Sequence, residues 1–173
     1  MSRAEGYTTN IHPKTNECDF RTPPYLFHFL NLRYGIDYDA ACEDGVNNLA
    51  PALRLEDVWP EGSTVYSNPP YDKESILKWF TKGKWHAAHG GVHIMCLPNK
   101  ICQTFFTELI DDFSEVIMLG GRVDFSGPHS VKGGASRQGT MITVQCWDSI
   151  EYPTEVLGVR LSDLKKKYKE DSK

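Results

Sequence analysis

The sequence predicts an α/β fold with a mostly parallel sheet and an antiparallel strand added at one edge. Three observations carry this reading. Short apolar runs alternate with amphipathic stretches. Two of the apolar runs, "VYSNPP" and "VHIMCLP", stop at proline, which cannot continue a central strand. A last pair of strand-like runs, "SEVIMLGGRVDF" and "TMITVQCW", flanks a glycine-rich loop, as a hairpin-like pair would. At 173 residues the chain is one ordinary domain with room for a core.

Residues 1–16 are polar and unpatterned, a flexible lead-in. Thr22 is a good helix cap and Pro23 suits a first helical position. Tyr25, Leu26, Phe29, Leu30 and Leu32 then recur at near-helical spacing until Gly35, so a helix is expected over about 22–34. Ile36 to Asp39 reads as a short strand ending in an acidic residue and a small-residue turn. Residues 43–63, with Pro51, Pro60 and Gly62, read as irregular. A strand over 64–68 runs into the proline corner. Asp72 caps a helix whose apolar face is Ile76, Leu77 and Phe80 and which Gly83 is expected to end. "GGVHIMCLP" reads as a buried strand and "NKICQTFFTELIDD" as a further amphipathic helix. "SGPHSVKGGASRQG" is a long loop between the final strands. Residues 17–150 form the single domain, and 151–173 a charged tail that is helical at its end or disordered.

No run of 18 apolar residues exists, so no membrane span is expected, and "MSRAEGYTTN" lacks the apolar segment of a signal peptide; a cytoplasmic setting follows. Cys18, Cys42, Cys96, Cys102 and Cys146 are scattered without a C-x-x-C pair and read as reduced thiols. His86, His89 and His93 stand at spacings of three and four, but Gly90 and Gly91 interrupt a helix there. A solvated loop is expected, and no metal. The net charge of −4 argues weakly against a strongly basic nucleic-acid binder and leaves room for a local basic face.

In doubly wound folds ligands sit at the carboxyl ends of strands. That rule places Asp39, Asn68 and Pro98-Asn99 at the site. The corner Asn68-Pro69-Pro70-Tyr71 has chemistry of its own. The Asn68 side-chain carbonyl and the Pro69 backbone carbonyl are acceptors, held at low entropic cost by proline. Two such acceptors can take both hydrogens of one planar –NH₂ group while Tyr71 stacks on the ring that carries it. They also favour a tetrahedral nitrogen with a concentrated lone pair, and stabilise the positive charge that appears as it attacks an electrophile.

Asn-Pro-Pro-Tyr at a strand end resembles the catalytic motif of amino-group methyltransferases. With "DFRTPPYLFHFLNLRYGIDYDAAC", "VHIMCLPN", "MLGGRVDF" and "GTMITV", residues 17–147 resemble the compact phage-type DNA N6-adenine methyltransferases. The resemblance implies a Rossmann-like methyltransferase sheet, S-adenosyl-L-methionine as cofactor, DNA as partner, and a target adenine extruded from the duplex. It implies a place in the host cytoplasm and in restriction-modification chemistry. It assigns Asn68, Pro69, Pro70 and Tyr71 to catalysis. Thr22-Pro23 match the segment that touches the amino-acid end of the cofactor, and Asp39 to Ala41 match the acidic-plus-small cofactor loop. Phe20 could pack on the cofactor adenine, and Asp57 could supply a ribose or adenine contact. Arg122, Lys132 and Arg137 are candidates for DNA contact. Each has a plainer reading: Thr22 as a helix cap, Asp39 as a turn cap, Phe20 in the core, Arg122 paired with Asp124, and Lys132 and Arg137 on a surface loop. The chain departs from the family in lacking the usual glycine-rich loop, and only about 25 residues separate Asp39 from the corner, so the cofactor half is abbreviated. Rival readings are an inactive DNA-binding protein of the same fold, or an amino methyltransferase acting on cytosine N4 or protein glutamine.

Overall fold

The computed structural model describes residues 21–41, 50–99, 104–125, 139–147 and 154–172. The chain order is α1 (Pro24–Tyr34), β1 (Tyr38–Ala40), β2 (Ala52–Leu53), β3 (Thr64–Ser67), α2 (Lys73–Ala88), β4 (Val92–Pro98), α3 (Thr104–Thr107), a 3-10 turn at Ile110–Asp112, β5 (Glu115–Gly120), β6 (Thr140–Gln145), β7 (Glu155–Arg160) and α4 (Leu161–Asp171). Among the described residues the strands form one seven-stranded sheet in the order β2-β1-β3-β4-β6-β5-β7. All neighbours are parallel except β6, which runs antiparallel to both β4 and β5. The mostly parallel α/β sheet is as expected. Its antiparallel strand lies inside the sheet rather than at the edge, because β5 reaches past β6 and the parallel β7 closes that side.

Six strands therefore point their carboxyl ends at one edge, and β6 begins there. The sheet is covered on both faces. Leu26, Leu30, Tyr66, Ile94, Ile117 and Leu161 form the core beneath α1 and α4. Trp59, Val65, Trp79, Phe80, Met95 and Phe113 form the core beneath α2. The alternation of Val65 and Tyr66 between these clusters is the period of two that a strand imposes.

Several expectations shift for physical reasons. Helix α1 starts one residue later than read, with Pro23 as its cap position and no side-chain cap bond; Gly35 closes it at φ 65°. Helix α2 runs through Gly83 to Ala88. The glycine is there for space: a Cβ on Gly83 would stand 1.9 Å from His93 Nδ1. The solvated histidine loop holds for His89, exposed just past α2, and is overturned for the other two. His86 lies on α2 and His93 on β4, and both are fully buried. Within the expected helix over 99–112, residues 100–103 lie outside the described residues, and the rest is a single turn plus the 3-10 turn. There the Thr107 hydroxyl donates to the Thr104 carbonyl at 2.7 Å, and Phe106 stacks on buried Phe113. Residues 155–171, read as part of a charged tail, supply edge strand β7 and helix α4, which buries Leu161 and Leu164 against the core. Helix α4 is tied to α1 by His28 and Asp171 at 3.0 Å. No helix among the described residues is long and apolar enough to cross a membrane.

Candidate active site

The sheet order reverses at β1, which has β2 on one side and β3 on the other. Each is parallel to it, and the carboxyl ends of β1 and β3 are where doubly wound folds form their ligand crevice. Asp39 and Asn68 stand at those ends. Asp39 is the middle residue of the short strand β1, 8% exposed, and its backbone pairs across to Tyr66. The next residue but one, Ala41, has φ 69°, a left-handed conformation that costs a non-glycine residue about 1 kcal/mol. A left-handed residue thus follows the strand without being a glycine.

Strand β3 ends at Ser67, and Asn68-Pro69-Pro70 leaves the ladder at the same edge. Pro69 is buried while Asn68 and Tyr71 are half-buried. The Tyr71 hydroxyl donates to Asn68 Oδ1 at 2.7 Å and lies 3.9 Å from Cys96 Sγ. Burial drives the Tyr71 hydroxyl well above its ordinary pKa, and pushes the Cys96 thiol up to about 12. Beside them, fully buried Tyr66 shares a 2.6 Å hydrogen bond with Thr22, and desolvation raises its pKa too. Each of these groups therefore stays neutral and protonated across the ordinary pH range. Thr22 is not the cap of α1. Its hydroxyl pins the start of that helix to β3, two residues before the Asn-Pro-Pro-Tyr corner is reached.

The opposite face of the corner is held by a second buried chain. Ser67 Oγ lies 2.8 Å from His93 Nε2, and His93 Nδ1 lies 3.1 Å from Gln145 Oε1. Gln145 Nε2 donates to the Phe80 carbonyl, so Oε1 is the acceptor, Nδ1 carries the imidazole proton, and Ser67 donates to Nε2. Desolvation holds His93 at a pKa of about 4, a neutral ring. Ser67 is the last ladder residue before the corner, so this bond fixes the point from which Asn68 departs. The sequence pattern marked His93 only as one of three spaced histidines and did not mark Ser67 or Gln145. The hint was a histidine within the apolar run of β4.

The remaining candidates separate. Asp57 follows β2 on the carboxyl side, but its carboxylate accepts from the Arg54 backbone at 2.7 Å and so closes a local turn. Arg122 is exposed just past β5, and Asp124 pairs with Lys165 at 3.0 Å instead of with Arg122. Phe20, Lys132 and Arg137 lie outside the described residues. The structure thus places Asp39 and Ala41 at the end of β1 and Asn68 and Tyr71 just past the end of its neighbour β3, ties Thr22 to β3 through Tyr66, and leaves Asp57 in a turn of its own.

The family described as DNA N-6-adenine-methyltransferase (Dam) matches residues 9–169 of this chain. No curated protein matches it. Among solved structures the chain is similar to a candidate class I S-adenosylmethionine-dependent methyltransferase from Listeria monocytogenes, with 14% identity and a TM-score of 0.42. The similarity covers 79% of this chain and 54% of that one, so the chain spans about half the length of that protein.

Proposed function

The chain belongs to the DNA N-6-adenine-methyltransferase family, and from that premise we propose that it methylates the exocyclic amine of adenine in DNA by direct transfer. The observation that supports the reading most is the Asn68-to-Tyr71 corner at the carboxyl end of β3, facing Asp39 across the point where the sheet order reverses.

S-adenosylmethionine, when bound, supplies an electrophilic methyl group on a sulfonium. The residues present fit such a cofactor in kind: a buried carboxylate, Asp39, at the end of β1, followed by a left-handed backbone residue at Ala41. Pro23 is buried beside them. Thr22 contributes through its backbone, since its hydroxyl is engaged by Tyr66.

The protein's own work is positioning and electrostatics. Asn68 Oδ1 and the Pro69 carbonyl accept the two amine hydrogens and stabilise the charge that develops on nitrogen. In the present geometry Oδ1 accepts from the Tyr71 hydroxyl, so substrate binding exchanges that bond for one to the amine. Tyr71 turns its ring onto the extruded base. Tyr71, Tyr66 and Cys96 are all held protonated, so none takes the proton of the methylated amine, which leaves to solvent after transfer.

The test is to offer labelled cofactor to duplex DNA and, separately, to a protein extract, then to digest the DNA to nucleosides. N6-methyladenine is the expected product. Label in N4-methylcytosine or in protein alone would move the substrate, and label in neither would remove the enzymatic reading.

A further inference from the structure

The acidic net charge hides a division of charge between the two edges of the sheet. The amino edge carries the exposed acids Asp37, Glu61, Asp111 and Glu155, which precede or begin β1, β3, β5 and β7. Two of its cations are matched: Arg33 by Glu115 and Lys84 by Asp112, each at 2.7 Å. The β5–β7 half of the carboxyl edge is different. Arg160 is the last residue of β7 and pairs with Gly120, the last residue of β5; Arg122 follows two positions later. Both arginines are exposed, and among the described residues neither makes an ion pair. Of the acids nearby, Asp124 is matched by Lys165, and Asp163 accepts from Ser162 at 3.2 Å.

Gly120 adds no side chain of its own to this corner. A Cβ there would stand 3.5 Å from the Val159 carbonyl and 3.9 Å from Arg160 Cγ, so the Arg160 stem lies along the bare glycine backbone. Gly121, at φ 122°, then turns the chain so that Val123 and Phe125 enter the core while Arg122 stays outside. The two guanidinium groups are thus carried on rigid strand ends and not on long free loops.

Their distance from the chemistry has a meaning. Four strand spacings separate β3 from β7. At about 4.8 Å each, Arg160 stands roughly 19 Å along the edge from Asn68. One DNA strand advances about 3.4 Å per base, so 19 Å is about five to six nucleotides. We infer that Arg122 and Arg160 form a phosphate-contact site that holds the DNA backbone about half a helical turn from the target adenine. Guanidinium forks suit phosphate oxygens, and the acidic amino edge repels the duplex from the wrong side of the molecule. This inference rests on the DNA-methylation reading above and adds Arg160 to the residues that serve it.

The experiment is salt-dependent binding of a mixed-sequence duplex of about thirty base pairs by the full chain, followed by anisotropy. Arg122→Ala and Arg160→Ala should each lower the slope of log K against log salt by about 1, and the double variant by about 2. Arg160→Lys should restore most of the slope. Lys84→Ala, on the amino edge, should leave it unchanged. The two arginine-to-alanine variants should raise the KM for DNA, while cofactor affinity stays within about twofold, because the arginines are remote from the reacting atoms. An unchanged slope in Arg160→Ala, with wild-type methylation of DNA intact, overturns this inference alone. A wild type that neither binds nor methylates duplex overturns the reading on which it rests as well.

Discussion

His93 makes the stability of this protein depend on pH in a way that can be worked out from the structure. The ring is fully buried, and desolvation lowers its pKa from 6.5 to about 4. In the unfolded chain it regains its ordinary value. Between those two pH values the unfolded state binds a proton that the folded state refuses, so stability falls as the pH falls. The contribution is fully present above about pH 6.5 and is lost as the pH drops through the folded value near 4. The whole gap corresponds to about 3 kcal/mol, of which about 2 kcal/mol has gone by pH 5. His86 adds in the same direction, since burial lowers its pKa also. The assay is urea unfolding at about pH 7.5 and about pH 5 for wild type and His93→Gln. Glutamine can still serve Ser67 and Gln145 but does not titrate. The variant should lose about 2 kcal/mol less than wild type over that interval, whatever its stability at neutral pH. Equal losses in the two proteins would refute the assignment of a neutral, desolvated His93.

Gly83→Ala should destabilise the fold by about 2 kcal/mol even though alanine is the better helix former by about 1 kcal/mol, because the new methyl collides with His93; thermal unfolding decides the sign. Thr22→Ala leaves the buried Tyr66 hydroxyl without that partner and should cost about 1–3 kcal/mol, and a double-mutant cycle with Tyr66→Phe should recover about 1 kcal/mol of coupling by denaturant titration. Additive effects there would mean the 2.6 Å contact contributes nothing. Tyr71→Phe should keep most methyl transfer, since the ring does the stacking, whereas Tyr71→Ala should lose about tenfold to a hundredfold in kcat/KM. Equal losses in both would place the role of Tyr71 in its hydroxyl.

The parts of this structure that were readable in the sequence are those fixed by local covalent geometry. Pro69, Pro70 and Pro98 ended strands because proline cannot continue a ladder, and that alone put Asn68 at a strand end. Gly35 closed α1 because a left-handed residue was needed there. What escaped depends on contacts between distant segments. Gly83 looks like a helix stop, yet it is a hole made for His93 from another element. Thr22 looks like a cap, yet its hydroxyl belongs to Tyr66, forty-four residues away. The interior place of β6 is a choice of partners that no local pattern encodes. Strand β7 was hidden because an edge strand is half exposed, so "EVLGVR" blends into the charged run that follows.

The central claim is that the Asn68 corner activates an adenine amine for methyl transfer. The most direct measurement is single-turnover methylation of duplex DNA by wild type and by Asn68→Ala, each at saturating cofactor, with N6-methyladenine quantified by mass spectrometry. The account predicts product from the wild type and a loss of about a hundredfold or more in the variant, with cofactor affinity little changed. Equal rates in the two proteins, or no N6-methyladenine from a wild type that binds both cofactor and DNA, would contradict it.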